Sequence, residues 1–174
     1  LIVTGSRAEY GLLKKLMEEI KKNNHLNLQI LVTGSHLIKK YGNTKNEILK
    51  DGFKINYLVN LFIKSDSPHD VSKAVSVGTK KFSKIISKKK PDLAIVLGDR
   101  YEVFAFVTAA NIHGVPIAHI HGGEVTQGAI DDSMRHSITK MSDLHFVANK
   151  DYGKRVRQLG ENPKTVYTVG GMGV

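Results

Sequence analysis

Short apolar runs that end in glycine alternate with helix-like segments along the whole chain. The run Leu93-Ala94-Ile95-Val96-Leu97 is wholly apolar, which is typical of a strand buried on both faces of a parallel sheet. Residues 9–22 instead place apolar side chains at helical spacing, with lysines on the opposite face. This alternation predicts βαβ units and a doubly wound parallel sheet, that is, a Rossmann-like α/β fold.

The same patterns set the expected bounds of the elements. Strands are predicted at residues 1–4, 28–33, 55–61, 93–97, 116–120, 144–147 and 166–169. Helices are predicted at residues 9–22, 36–50 with a break at Gly42-Asn43, 71–89, 101–112, from Asp131 or Asp132 onward, and 150–159. A length of 174 residues suits one buried core, and no second core is evident. We expect a Rossmann-like domain over residues 1–169, and at 170–174 the start of a linker to a further domain of a longer protein.

Composition narrows the function classes. The absence of cysteine excludes disulfides, cysteine-ligated zinc and thiol chemistry. The apolar runs are far shorter than the ~20 residues of a membrane helix, and no segment resembles a secretory signal. We therefore expect a cytoplasmic protein without a membrane partner. The net charge of +10 suggests nucleic-acid binding. However, the lysines occur mostly on helix faces opposite apolar residues and without interleaved aromatics, so no nucleic-acid partner is predicted.

Three predicted strands end in similar sequences. These are LIVTGSR at residues 1–7, ILVTGSH at 30–36 and AIVLGDR at 94–100. In open α/β sheets, ligands bind at the carboxyl ends of the strands, at the point where the strand order reverses. With the usual strand order, the first and fourth strands flank that point. This arrangement would bring Arg7 close to Asp99 and Arg100.

The first and third of these turns carry candidate site residues. Neither a full G-x-G-x-x-G fingerprint nor a Walker A pattern is present, so the phosphate cradles of NAD-binding and P-loop proteins are missing. The turn at Gly5 can still offer backbone N–H groups to an anion, and Arg7 could bind phosphate; alternatively, Arg7 is an ordinary surface arginine. Asp99 could transfer protons while Arg100 neutralises a phosphate; alternatively, Asp99 caps the following helix.

The densest set of ionisable groups is His119-Ile120-His121-Gly122-Gly123-Glu124, followed by Asp131-Asp132. His119 and His121 would share a strand face, and Glu124 follows paired glycines that allow close approach to a ligand. Arg135 and His136 follow within one turn of the helix that starts at Asp131 or Asp132, so acid, base and cation are available within a short stretch. The alternative is a capped helix with core or surface histidines. The two histidines and nearby carboxylates could also hold zinc, but no metalloprotease-type spacing supports this, so we predict no metal and no cofactor.

These motifs, in this order, resemble the hydrolysing UDP-N-acetylglucosamine 2-epimerases, especially the branch that feeds sialic-acid-type nonulosonate synthesis. The resemblance runs essentially from end to end. It rests on residues 4–10, 36–44, 51–53, 98–100, 119–124, 130–133, 135–140 and 169–171. It implies one half of a glycosyltransferase-B-like fold (GT-B). The other Rossmann-like domain would carry most of the uridine contacts and a further catalytic histidine.

The resemblance also implies a reaction, in which UDP-N-acetylglucosamine and water give UDP and N-acetylmannosamine. UDP leaves by anti elimination as the C2 proton is removed, and water then adds to the resulting 2-acetamidoglucal with inversion at C2. Carried over by motif, the catalytic residues are Asp99, Asp131, His121 and Glu124, and the substrate-binding residues are Arg7, Arg100, His119 and Gly5. The full-length protein is expected to form a homo-oligomer, and the isolated fragment to be inactive.

One position departs from the family pattern. Many relatives carry a glutamate two residues after the first histidine of the block, where this chain has His121. Either His121 takes over the proton transfer or Glu124 reaches in, and we expect His121 in the site with Glu124 in support. The departure also leaves open a GDP-linked or 2,4-diacetamido-6-deoxy sugar nucleotide as substrate. The same architecture would also suit a retaining glycosyltransferase or a non-catalytic nucleotide-sugar-binding module, because fold does not fix function.

Overall fold

A computed structural model describes residues 1–126 and 130–173. Its strands are β1 (Ile2–Thr4), β2 (Ile30–Val32), β3 (Tyr57–Leu58), β4 (Ala94–Leu97), β5 (Ile117–Ile120), β6 (Leu144–Val147) and β7 (Val166–Thr168). Its helices are α1 (Arg7–Lys22), α2 (Lys45–Lys50), α3 (Pro68–Lys89), α4 (Tyr101–Ile112), α5 (Asp131–Lys140) and α6 (Lys150–Gln158). Short 3₁₀ turns lie at Gly34–Leu37, Lys39–Tyr41 and Pro163–Thr165.

The strands form one seven-stranded sheet in the order β3-β2-β1-β4-β5-β6-β7. Every adjacent pair is parallel, which confirms the predicted doubly wound sheet. Ile2 of β1 pairs with Ile30 of β2 on one side and with Ile95 of β4 on the other. The strand order therefore reverses between β1 and β4, as the sequence predicted, and the turns after these two strands share one edge of the sheet.

Two hydrophobic clusters cover the two faces of the sheet. Neighbouring residues of a strand point to opposite faces, so Ile2 joins the cluster that contains Met17 of α1, while Val3 joins the cluster of α3 and α4. Phe82 and Phe106 meet edge to face in the second cluster, with ring centroids 5.5 Å apart. Helix α4 is apolar on nearly all sides because α3 and α5 both pack against it.

Two helices begin earlier than the apolar spacing predicted. Helix α1 begins at Arg7 because Ser6 caps it, its hydroxyl accepting from the Glu9 N–H at 3.3 Å. Helix α3 begins at Pro68, whose fixed φ suits a first helical position. The predicted helix at 36–50 consists instead of two 3₁₀ turns and the short α2. No helix in the described ranges has both the length and the apolarity needed to cross a membrane.

The segment after β7 turns back onto the domain. Met172 packs against the cluster that contains Met17, and its backbone N–H donates to Nε2 of His121 at 3.2 Å. Val174 lies outside the described residues. The domain boundary at residue 169 and the linker beyond it stay predictions.

Candidate functional site

A cleft of about 570 Å³ opens at the carboxyl ends of the strands, beside the junction of β1 and β4. It is lined by the turns that follow β1, β2 and β4 and by the segment that precedes α3. Among the described residues, four cations line it against one carboxylate, that of Asp66. These cations are Arg7, Lys40, Lys64 and Arg100. A basic cleft at a helix N-terminus suits an anionic ligand such as a diphosphate.

Arg7 is the first residue of α1 and stands at the rim of this cleft. Its side chain is 73% exposed, and its Nε donates to Oε2 of Glu47 on α2 at 3.0 Å. An exposed pair of this kind contributes little to stability. The guanidinium is therefore anchored at one nitrogen but remains open to the cleft.

Arg100 lies on the other side of the β1–β4 junction and is the residue that precedes α4. Its Nε donates to Oε1 of Glu102 at 2.7 Å, and the same Nε lies 3.9 Å from Oε1 of Glu9. Arg7 and Arg100, predicted to meet because of the strand order, do line one cleft. Whether they bind substrate phosphate stays a prediction.

Glu9 and Glu102 are two buried carboxyl groups beneath the cleft that the sequence analysis missed. Oε2 of Glu9 accepts the Gly5 N–H at 2.6 Å, so this backbone donor is already engaged within the protein. Burial, and next the charge of Glu102, raise the pKa of Glu9 to about 7. The pattern Ser6-x-x-Glu9, a capping box, was the available signal for Glu9. Nothing in the sequence pattern singled out Glu102.

Gly5 has a second structural role besides its engaged N–H. A Cβ built on Gly5 would lie 2.7 Å from Cγ of Glu102. The absence of a side chain at Gly5 thus admits a buried carboxyl group, and a contact between Gly5 and substrate stays a prediction.

His36 forms part of the same buried layer. Its ring is fully enclosed, with Nε2 3.0 Å from the Thr4 hydroxyl and Nδ1 2.7 Å from the Thr44 hydroxyl. Burial lowers the pKa of His36 to about 4, so the ring is neutral at physiological pH. It ties the turn after β2 to the region just before α2.

Asp99 lies two residues after β4, next to Arg100, and pairs with Arg135 of α5. The other terminal nitrogen of Arg135 donates to Oδ1 of Asp132 at 3.0 Å, and that oxygen also accepts the Thr126 N–H at 2.7 Å. The N-cap of α4 is Arg100, with no side-chain cap, so the alternative in which Asp99 caps that helix is excluded. Asp99, Arg135 and Asp132 form one charged group.

Asp131 opens α5, in agreement with the predicted helix start. It is half-buried at the first helical position. Among the described contacts, the structure joins Asp99 to Asp132 through Arg135 but shows no direct contact between Asp99 and Asp131. Arg135, which the sequence offered only as a nearby cation, is the residue that connects α5 to the end of β4.

His119 lies beneath the loop that carries Asp99 and is fully buried. Its Nε2 is 2.8 Å from the Gly98 carbonyl and its Nδ1 is 3.2 Å from the Thr139 hydroxyl. Burial lowers the pKa of His119 to about 4, so the neutral ring donates from Nε2 to Gly98 and accepts from Thr139 at Nδ1. The ring supports the Asp99 loop from below, and a direct substrate contact by His119 stays a prediction.

His121 and Glu124 are in contact, with Nδ1 of His121 3.1 Å from Oε1 of Glu124. Because Nε2 of His121 accepts the Met172 N–H, the proton of the neutral ring lies on Nδ1 and is donated to Glu124. The structure corrects the expectation that His119 and His121 share a strand face. Strand β5 ends at Ile120 and His121 has a φ of +64°, so the strand alternation stops before it.

The predicted residues therefore fall into adjoining groups along one edge of the sheet. The cleft contains Arg7 and Arg100, whereas Asp99 is paired with Arg135, and His121 with Glu124. Asp99 and Arg100 are consecutive, so the cleft adjoins the cluster formed by Asp99, Arg135 and Asp132. Within residues 1–126 and 130–173, no three histidine, aspartate or glutamate side chains converge as metal ligands would.

Comparison with known proteins adds sequence relatives. The family described as UDP-N-acetylglucosamine 2-epimerase matches residues 18–174. Polysialic acid biosynthesis protein P7 of Escherichia coli is 43% identical over 173 residues, which are 99% of this chain and 44% of that protein. GDP/UDP-N,N'-diacetylbacillosamine 2-epimerase (hydrolyzing) of Campylobacter jejuni is 43% identical over 171 residues, 98% of this chain and 44% of that protein. The chain thus spans about half the length of the curated relatives it matches.

A solved structure is also matched over about half of its length. The crystal structure of UDP-GlcNAc 2-epimerase from Neisseria meningitidis bound to UDP-GlcNAc superposes with a TM-score of 0.85 at 20% identity. The match covers 98% of this chain and 46% of that one. At this identity the likeness shows the fold alone. It confirms a Rossmann-like fold, which corresponds to about half of the GT-B-like neighbour.

Proposed function

Because this chain belongs to the UDP-N-acetylglucosamine 2-epimerase family, we propose that it is the amino-terminal half of a hydrolysing 2-epimerase. The proposed reaction converts UDP-N-acetylglucosamine and water to UDP and N-acetylmannosamine. One observation carries the proposal: Asp99, held by Arg135, immediately precedes Arg100, which lines the basic cleft. A carboxylate for proton transfer and a cation for a diphosphate are thus consecutive in the chain.

The first step of the proposed reaction expels UDP. A base removes the C2 proton, the C–H electrons form the C1–C2 double bond, and the bond from C1 to the diphosphate oxygen breaks. Negative charge then grows on the diphosphate. Arg7 and Arg100, at the N-terminal ends of α1 and α4, stabilise that charge.

The second step hydrates the 2-acetamidoglucal. Water adds at C1 and a proton returns to C2 on the face opposite to the one it left, which inverts C2. Two acid/base groups are needed for this sequence. We assign them to Asp99 and Asp131, with the His121–Glu124 pair as the third proton-transfer unit. Arg135 holds the Asp99 carboxylate in one orientation.

A second substrate is supported by the sequence relatives. The Campylobacter jejuni relative, named for N,N'-diacetylbacillosamine, is 43% identical, whereas UDP-N-acetylglucosamine 2-epimerase of Neisseria meningitidis is 36% identical. The same elimination and hydration would act on a 2,4-diacetamido sugar linked to UDP or GDP. The residues that handle the diphosphate and the C2 proton are the same for both sugars.

The test uses the full-length protein in D₂O. One arm contains UDP-N-acetylglucosamine and the other UDP-N,N'-diacetylbacillosamine, and the products are followed by NMR and mass spectrometry. We expect a free 2-epimerised sugar that carries deuterium at C2, because this proton exchanges during elimination and hydration. The arm with the larger kcat/KM identifies the substrate. Product without deuterium contradicts the mechanism. Transfer of the sugar to an acceptor indicates a glycosyltransferase, and binding without turnover indicates a binding module.

A further inference from the structure

Two buried carboxyl groups lie directly beneath Arg100, and the proposed reaction uses neither of them. Glu102 is 0% exposed and Glu9 is 6% exposed. Nε of Arg100 lies 2.7 Å from Oε1 of Glu102 and 3.9 Å from Oε1 of Glu9. Arg100, which lines the cleft, is therefore in contact with two buried carboxyl groups on the side away from the cleft.

The backbone of two neighbouring turns is shaped around Glu102. A Cβ on Gly34 would lie 2.4 Å from Oε1 of Glu102, and one on Gly5 would lie 2.7 Å from that oxygen. Real Cβ atoms do not approach so closely, so both turns reach Glu102 only as glycine. The turns after β1 and β2 thus enclose the carboxyl group and fix its position.

Glu102 binds Arg100 through one nitrogen only. Both Glu102 and Glu9 face Nε of Arg100, so neither of these carboxylates occupies the two terminal nitrogens of the guanidinium. A guanidinium group is planar and rigid, so fixing Nε also fixes the direction of the terminal pair. That pair is the fork that binds two oxygens of a phosphate.

We propose that Glu102 is a positioning residue for the epimerisation: it holds the Arg100 guanidinium so that both terminal nitrogens meet the diphosphate of the substrate. Glu9 supports this arrangement by accepting the Gly5 N–H and so securing the turn that encloses Glu102. The inference rests on the proposed function, because it assumes a diphosphate substrate. Glu102 itself touches no reacting atom.

The charges of the cluster agree with this role. Two ionised carboxylates beside one guanidinium would leave a buried negative charge, which is costly. Burial raises the pKa of both Glu9 and Glu102. When Glu9 keeps its proton, one carboxylate remains for one guanidinium. The cluster is then neutral, and the terminal nitrogens of Arg100 keep their attraction for an anion.

A double-mutant cycle in the full-length protein tests the proposal. The four proteins are the wild type, Glu102→Gln, Arg100→Ala and the double variant, each assayed for kcat and KM with the substrate identified above. We expect Glu102→Gln to lower kcat/KM by about tenfold, and Arg100→Ala by about a hundredfold. In the Arg100→Ala background, Glu102→Gln should change kcat/KM by less than about twofold, because Glu102 acts through Arg100.

The control is Glu19→Gln, which alters an exposed glutamate of α1, and we expect wild-type kinetics. Equal losses from Glu102→Gln in both backgrounds would indicate a purely structural role and overturn the proposal. If Glu102→Gln does not fold, Glu102→Asp takes its place. It keeps the charge but not the reach to Nε, so full activity would overturn the proposal. A wild type that neither turns over nor binds UDP contradicts the proposed function instead.

Discussion

The guanidinium of Arg135, on α5, hydrogen-bonds to the carboxylate of Asp99 at the end of β4. Arg135 is 5% exposed, and it also donates to Asp132 and to the Thr126 hydroxyl. Both terminal nitrogens of this buried guanidinium are paired, which offsets much of the cost of burying its charge. Arg135 therefore joins the start of α5 to the carboxyl end of β4 and gives Asp99 a fixed direction.

This geometry gives a prediction for Asp99→Asn in the full-length protein. Asparagine keeps the shape of the side chain and an oxygen for Arg135, but it cannot accept a proton in the reaction. We expect kcat to fall by at least about a hundredfold while UDP affinity, measured by calorimetry, stays close to wild type. Asp92→Asn, at the opposite edge of the sheet, is the matched control. Near-normal turnover of Asp99→Asn would show that Asp99 is misassigned.

A second prediction separates His121 from Glu124. Both ring nitrogens of His121 are engaged, one by Glu124 and one by the Met172 N–H. We therefore expect His121→Asn, which tolerates the left-handed backbone and keeps a donor for Glu124, to retain more activity than Glu124→Gln. This reverses the roles that the sequence predicted for the two residues, because the ring of His121 has no free nitrogen among the described contacts. The measurement is kcat over a range of pH. The opposite ranking would identify His121 as the proton-transfer group and Glu124 as its support.

A third prediction concerns pH and the stability of Glu9. Its pKa is raised from 4.5 to about 7, so the folded state keeps a proton that the unfolded state releases. This group's contribution to stability is fully present below pH 4.5 and is lost as the pH rises towards 7. Glu9→Gln cannot ionise. Relative to the wild type, the variant should gain on the order of 3 kcal/mol between these two pH values.

The comparison is made by urea unfolding of both proteins at each pH. The charged groups that face Glu9 are Glu102 and Arg100. His36 and His119 act in the opposite direction, since their pKa values are lowered from 6.5 to about 4 and their contribution falls as the pH drops between those values. Because both proteins contain these two histidines, their contributions cancel in the difference between the wild type and the variant. A pH-independent difference would refute the raised pKa.

A fourth prediction uses a matched pair of glycines. Gly34 has a φ of +59°, and a Cβ there would lie 2.4 Å from Oε1 of Glu102, whereas a Cβ on Gly11, within α1, would meet nothing within 4 Å. We expect Gly34→Ala to destabilise the protein by about 2 kcal/mol or more. Gly11→Ala should stabilise it by roughly 0.5–1 kcal/mol, as in any exposed helix interior. Thermal and urea unfolding measure both, and equal effects would contradict the packing around Glu102.

The order of strands and helices was predictable because the spacing of apolar residues in the sequence follows the buried face of each element. The run 93–97 indicated a strand covered on both faces, and β4 occupies 94–97 in the middle of the sheet. Helix starts were less predictable, since α1 and α3 begin at caps, Ser6 and Ser67, before the apolar spacing begins. The region 36–50 was the least predictable, because its side chains are fixed by distant partners such as the Thr4 hydroxyl.

The candidate site also has features that the sequence predicted and features that it did not. The strand-ending motifs predicted that Arg7 and Arg100 approach each other, because topology alone brings these turns together. The partners of the charged groups were not predictable. Arg135 meets Asp99 from another element, and Glu102 is enclosed by the distant turns at Gly5 and Gly34, so no local spacing in the sequence indicates these contacts. The backbone of His121 was also unforeseen, because only Met172 and the turn after β5 reveal why its ring leaves the strand face.

The junction of β1 with β4 also bears on how the chain assembles. Ile2 pairs with Ile95, so the centre of the sheet closes only when segments far apart in sequence have met. Contacts of such long separation slow folding, because the intervening loop must be ordered first. Arg7 and Arg100 stand on opposite sides of this junction, so the cleft exists only in the completed sheet. An anion that bridges the two arginines would favour the finished fold by mass action, so anion binding would report correct assembly of the sheet.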